Sequence, residues 1–182
     1  MRPHAPVSST NMPYVVLGYS LIEVLVALAL LSILLTLAAP GMKQLITSNR
    51  STAYGDELVR SFELARSTAI ARRTKIEVCT LGDGNSCRSN TDADWRNWHK
   101  GWMVRATPGN EVLAVHGALG EGTAVTGSSG AVEFDASGGI SDSVPQQYWL
   151  RFTNCSRKED RLIEVNASGR VSINATDCAI RG

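Results

Sequence analysis

Glu23 is the first residue of this sequence whose setting demands chemistry. It heads an apolar run: from Val24 to Ala39 there are sixteen residues, and only Ser32 and Thr36 among them carry a polar side chain. An unpaired carboxylate there is costly, so it marks a functional position that needs a partner. Four cysteines, Cys79, Cys87, Cys155 and Cys178, all lie beyond the run in two sequence-local pairs, as expected for two disulfides in a translocated domain. Zinc would require tighter cysteine spacing and a nearby pair of histidines, whereas His4, His99 and His116 are scattered. Neither a metal nor a cofactor is expected. Trp95, Trp98 and Trp102 alternate with Arg96, His99 and Lys100, a mixture that could stack bases and hold phosphates. Packing and cation–π contact within the domain is the simpler expectation. Arg157, Lys158, Arg161 and Arg170 form another set of cations, but Glu159 and Asp160 sit among them and point to a solvated face. No Gly-x-Ser-x-Gly elbow, no paired-histidine zinc motif and no unpaired thiolate nucleophile is present, so no enzyme is expected.

The elements that must position these groups follow from periodicity. The chain has 182 residues, with 18 basic and 17 acidic side chains, so no strong overall field marks an obligate nucleic-acid binder. There is room for one apolar segment and one globular domain. With Leu21 and Ile22, the run after Glu23 approaches the length that crosses a bilayer as a helix. Residues 1–17 hold Arg2 and His4 and no acid. The positive end therefore stays cytoplasmic, and the domain after Pro40 faces outward. Leu37-Ala38-Ala39 resembles a secretory cleavage site, but Pro40 behind it fits a protease badly. Helical periodicity continues through Leu58, Phe62, Ala65 and Ala69, which share one face that should pack on a sheet. Arg60, Arg66, Arg72 and Arg73 fall mostly off that stripe, near Asp56, Glu57 and Glu63. Pro40-Gly41 and Gly55 are points where the helix should bend or melt. From residue 75 onward, β-type runs alternate with turn residues. They are Ile76 to Thr80, Trp102 to Ala106, Val112 to His116, Ala131 to Phe134, Tyr148 to Thr153, Leu162 to Asn166 and Arg170 to Ile173. Ala167-Ser168-Gly169 should turn the last two into a hairpin. The expected architecture is α+β, with a long N-terminal helix packed on antiparallel sheet in two small leaves. The glycine-rich stretch Gly117 to Gly139 lacks the Gly-Lys-Ser/Thr ending of a phosphate cradle.

Gly18-Tyr19-Ser20-Leu21-Ile22-Glu23-Val24-Leu25 resembles the class III signal of type IV pilins and type II secretion pseudopilins, usually Gly-Phe-Thr-Leu-Ile-Glu. Tyr19 keeps the ring of the usual phenylalanine, and Pro40 falls where that family commonly has a proline. Leu58 to Thr80, the Gly82-Asp83-Gly84 turn, Cys87, Trp95 and Gly101-Trp102 resemble the GspH/FimT branch of minor components. The resemblance implies a pilin-like fold. It implies a leader over 1–18, a transmembrane and assembly helix over 19–40, an amphipathic helix over 41–73 and a β-rich head over 74–182. A prepilin peptidase would cut between Gly18 and Tyr19 and methylate the new amine on Tyr19, and Glu23 would pair with that amine on a neighbouring subunit. Cleavage removes Arg2 and leaves 18 − 1 = 17 basic against 17 acidic side chains. Met12 is an alternative start, but the leader would then lack a basic side chain. The implied location is the bacterial inner membrane, single-pass with a periplasmic C-terminal domain, and afterwards the pilus tip. Implied partners are other minor pilins, the major pilin, the peptidase, the inner-membrane assembly platform and, before assembly, membrane lipid. The implied function is a structural subunit that helps start pilus assembly. A type II secretion pseudopilin is the alternative, and DNA uptake is the second. Some relatives bind DNA through a C-terminal Gly-Arg-x-Arg element. Here the element reads Gly169-Arg170-Val171-Ser172, one arginine short, so DNA is not favoured.

Overall fold

The computed structural model describes residues 18–107, 109–156 and 158–178, with the side chains of 37–41, 43 and 85 left aside. It divides into two compact units at Pro40/Gly41. The helix α1 (Leu21–Arg72) begins in the first unit, where Val24 N–H donates to Ser20 O at 3.2 Å. Glu23 lies in its first turn, where the helix dipole favours a carboxylate. The two polar side chains of the run turn back on the backbone: Ser32 Oγ donates to Ala29 O and Thr36 Oγ1 to Ile33 O, each at 2.7 Å. Every leucine, isoleucine and valine from Leu21 to Leu35 is exposed.

Among the described residues no helix is long and apolar enough to cross a membrane. That overturns the expectation of a membrane-spanning first half and, with it, the single-pass inner-membrane placement. Glu23 is the third residue of α1 and puts a charge near the start of its apolar run, a costly place for one in hydrocarbon.

In the second unit α1 lies against two four-stranded antiparallel sheets. The strands are β1 (Ile76–Thr80), β2 (Trp102–Ala106), β3 (Val112–His116), β4 (Thr123–Gly127), β5 (Ala131–Phe134), β6 (Gln146–Phe152), β7 (Asp160–Val165) and β8 (Val171–Thr176). The first sheet runs β3-β2-β1-β5 and the second β4-β6-β7-β8. The pilin-like α+β architecture expected from the sequence is therefore present. The stripe Leu58, Phe62, Ala65 and Ala69 is buried, and Ser51, Gly55 and Ser61 extend it. The Phe62 ring sits among Trp98, Tyr148 and Phe134, with centroids 5.8, 4.8 and 6.5 Å away, so one helix side chain draws on both sheets.

The helix stays helical through Pro40, Gly41 and Gly55, contrary to the expected breaks. Gly55 is a packing residue: a Cβ there would stand 2.6 Å from Ile173 Cδ1 on β8, so its bareness lets the helix approach the second sheet. The helix ends in a Schellman arrangement. Arg73 adopts a left-handed φ of 49°, Thr74 N–H donates to Ala69 O at 3.2 Å and Arg73 N–H to Ile70 O at 3.4 Å. The strand β4 was not expected, because Thr-Ala-Val-Thr-Gly lies inside the glycine-rich stretch. Pairing with β6 overrides its weak local signal.

Candidate functional site

The first unit presents a bare apolar surface with one carboxylate. Tyr19, Glu23, Val24, Ala27, Leu28 and Leu31 line a shallow groove of about 560 Å³ along the start of α1. Residues 23, 24, 27, 28 and 31 recur at three to four, so the helical period gathers them on one face. Among the described residues the Glu23 carboxylate has no hydrogen bond or ion pair. Tyr19 is 83% exposed and Gly18 before it is exposed too. The leader residues 1–17 lie outside the described residues. Pro40 stands within α1 at the boundary of the two units.

The cysteines pair as their spacing suggests. Cys79 at the end of β1 bonds Cys87, and Cys155 after β6 bonds Cys178 after β8, each with Cα atoms 5.6 Å apart. Carboxylates stand beside both, Glu77 at the first and Glu159 at the second, but each sulfur is committed to its disulfide and offers no thiolate to a metal.

The tryptophans divide. Trp98 and Trp102 are wholly buried and their indole N–H groups are spent, on Ser129 O at 2.8 Å and Ser61 Oγ at 2.9 Å, so neither ring is open to a base. Trp95 is half-buried, with the Arg96 guanidinium 4.6 Å above its ring. Trp102 stacks on His116 at 5.0 Å, and His116 Nδ1 meets Glu57 Oε1 at 2.7 Å. Lys100 hydrogen-bonds Asp94 and holds that carboxyl below its usual range. These contacts match the packing role expected of the cluster.

The four candidate cations are not gathered into one patch. Arg157 lies outside the described residues. Lys158 is exposed and 3.8 Å from Asp177. Arg161 donates through Nε to Ser51 Oγ at 2.9 Å and through its terminal nitrogen to Thr52 Oγ1 at 3.3 Å, which ties β7 to α1. Arg170 is exposed, carries no side-chain partner among the described residues, and lines a groove of about 280 Å³ with Gln146, Gln147, Glu164, Asn166 and Ser172. Arg161 shares its face with buried Ile163 and Val165, whereas Glu164 pairs with Ser172 on the other face. Arg161 and Arg170 therefore serve opposite sides of the second sheet.

Trp149 escaped the sequence reading. On β6, Gln146, Tyr148, Leu150 and Phe152 are buried while Gln147, Trp149 and Arg151 alternate outward, so Trp149 stands half-buried on the solvent face. Strict alternation over Gln146 to Phe152 was the available signal.

The sequence profile of the family described as Type II transport protein GspH matches residues 55–169, more than half of the chain. The profile of the prokaryotic N-terminal methylation motif matches residues 16–39. Two crystal structures of the Pseudomonas aeruginosa strain PAO1 type IV minor pilin FimU are similar in fold. In space group P65 the TM-score is 0.53 at 17% identity, covering 68% of this chain and 91% of FimU. In P21 it is 0.54 at 17%, covering 69% and 89%. No curated protein matches the chain in sequence. The family performs no catalysis, and the chain is not an enzyme. Apolar helix, methylation motif, helix-on-sheet head and family profile meet in one chain, which belongs to the GspH family of minor pilins and pseudopilins.

Proposed function

We propose that the chain is a minor pilin, a non-enzymatic structural subunit that helps start type IV pilus assembly within a priming complex at the pilus tip. The observation that supports this most is the first unit: apolar side chains exposed on every side of α1, interrupted by one unpartnered carboxylate. A helix that is apolar all round is stable only when covered, and each leucine taken from water contributes roughly 1.5–3 kcal/mol. Like helices of neighbouring subunits are the cover in this reading. A prepilin peptidase removes 1–18 and methylates Tyr19, and Glu23 pairs with the Tyr19 amine of a neighbour. Losing one member of such a pair costs about 3–5 kcal/mol, because the other charge stays buried and unpaired. The segment 19–40 then serves as assembly helix, 41–73 carries it into the head, and 74–182 selects neighbours among the major pilin, other minor pilins and the assembly platform.

The family's description favours a second reading, a minor pseudopilin of type II secretion. A DNA-binding role would rest on Arg170. Deleting the gene in its host and scoring surface pili, twitching, exoprotein secretion and transformation together separates the three. Loss of pili and twitching with secretion intact is expected; loss of secretion with normal piliation would overturn the pilus reading.

A further inference from the structure

The outer face of the second sheet has a chemistry that the assembly role does not use. Register sets Thr126, Trp149, Leu162 and Asn174 side by side across β4, β6, β7 and β8. Trp149 is half-buried with its indole N–H unbonded among the described residues. Two exposed cations flank it without ion pairs: Arg151 on β6, and Arg170 at the far end in the groove lined by Gln147, Glu164 and Ser172. Strand rise and spacing put Arg151 and Arg170 roughly 20 Å apart, the reach of an oligomer rather than a single small molecule.

We propose that this face binds an acidic oligosaccharide, a chain of sugar rings with carboxylates at intervals. An indole can cover the apolar face of a sugar ring while its N–H stays available. The amides of Gln147 and Asn174 and the carboxylate of Glu164 can both orient and accept from sugar hydroxyls. The Glu164 carboxylate already accepts from Gln147 Nε2 at 2.9 Å, which holds both in place. Arg151 and Arg170 supply two widely separated partners for carboxylates. A phosphate chain carries a charge at every unit and gains from dense cations. This face offers two cations, and Glu164 stands in the groove with one of them.

The test uses the full chain in detergent, followed by intrinsic fluorescence and calorimetry. Hyaluronan oligosaccharides, acidic at every second ring, are compared with neutral chito-oligosaccharides and single-stranded oligothymidylate. The hyaluronan probe is expected to bind and quench fluorescence. Trp149→Ala should weaken it by about tenfold or more, while Trp149→Phe, which keeps a ring, stays within about threefold of the parent. Arg151→Gln with Arg170→Gln should abolish the preference over the neutral probe. Absence of binding, binding unchanged by Trp149→Ala, or tighter binding of oligothymidylate each overturns the proposal. Should Trp149→Ala fail to fold, the Trp149→Phe and arginine variants decide.

Discussion

Gly169→Ala should destabilise the head more than its surface position suggests. Gly169 closes the β7–β8 turn with φ +76°, and an added Cβ would stand 1.9 Å from Gly138 O, a backbone atom that cannot swing aside. That oxygen already accepts from Arg66 Nε at 3.0 Å, and Ile140 N–H donates to Ala167 O at 3.0 Å. The turn of the second sheet is thus locked to the loop after β5 of the first, and Arg66 of α1 joins them. A left-handed alanine costs about 1–2 kcal/mol, and overpacking a tight site about 1–3 kcal/mol. Together these give roughly 2–5 kcal/mol, a fall in Tm of roughly 10 °C for a domain of this size. Urea and thermal unfolding followed by circular dichroism would read it. Ser168→Ala is the control, because Ser168 Oγ meets only exposed Asn166 Oδ1 at 2.8 Å. A Gly169→Ala variant within about 0.5 kcal/mol of the parent would refute the reasoning, since the turns would then have room to separate.

Tyr148 is fully buried, its hydroxyl finds no hydrogen-bond partner among the described residues, and burial, with Asp142 adding, pushes the phenol far above its ordinary range. Tyr148→Phe should therefore leave stability unchanged or raise it by about 1 kcal/mol, and a loss larger than that in urea would reveal a missed partner. The unfolded phenol ionises above about pH 10 while the folded one stays neutral, so this contribution is present below pH 10 and lost as pH rises; Tyr148→Phe should lack that slope. Burial works to raise the Glu133 carboxyl, but hydrogen bonds from Lys75, Ser141 and Thr107 outweigh it and hold it below its usual range. Its contribution is present above about pH 4.3 and lost as pH falls. Because its partner Lys75 is more than half exposed, the pair is screened by solvent, and Glu133→Gln should cost under about 1 kcal/mol at neutral pH, shrinking with salt. Replacing Cys155 and Cys178 by serine should cost about 3.4 kcal/mol, and Cys79 with Cys87 about 2.6 kcal/mol, because the first pair closes the longer loop. Equal losses in urea would contradict the chain-entropy account. These two bridges span 23 and 8 residues.

The parts legible in the sequence were those set by local period. Leu58, Phe62, Ala65 and Ala69 announce a helix face by spacing alone, and β-branched runs between turn residues announce most strands. The division of strands between two sheets was not legible, because it depends on pairings such as β1 with β5 across fifty residues of chain. Gly55 read as a weak point because propensity counts backbone entropy and ignores the Ile173 methyl waiting opposite. Arg161 read as a surface cation, since nothing local reveals Ser51 and Thr52 from a helix over a hundred residues earlier. The apolar run read as a membrane span from length alone. Among the described residues no helix is long and apolar enough for that.

The account stands or falls on what happens at Gly18–Tyr19 and Glu23. The direct measurement is mass spectrometry of the chain recovered from sheared surface pili of the parent strain and of a Glu23→Val strain. The account predicts a parent chain that begins at N-methylated Tyr19 in the pilus fraction, and a Glu23→Val chain that is cleaved at the same bond yet missing from pili. An uncleaved chain in the parent, or normal incorporation of Glu23→Val, would contradict it.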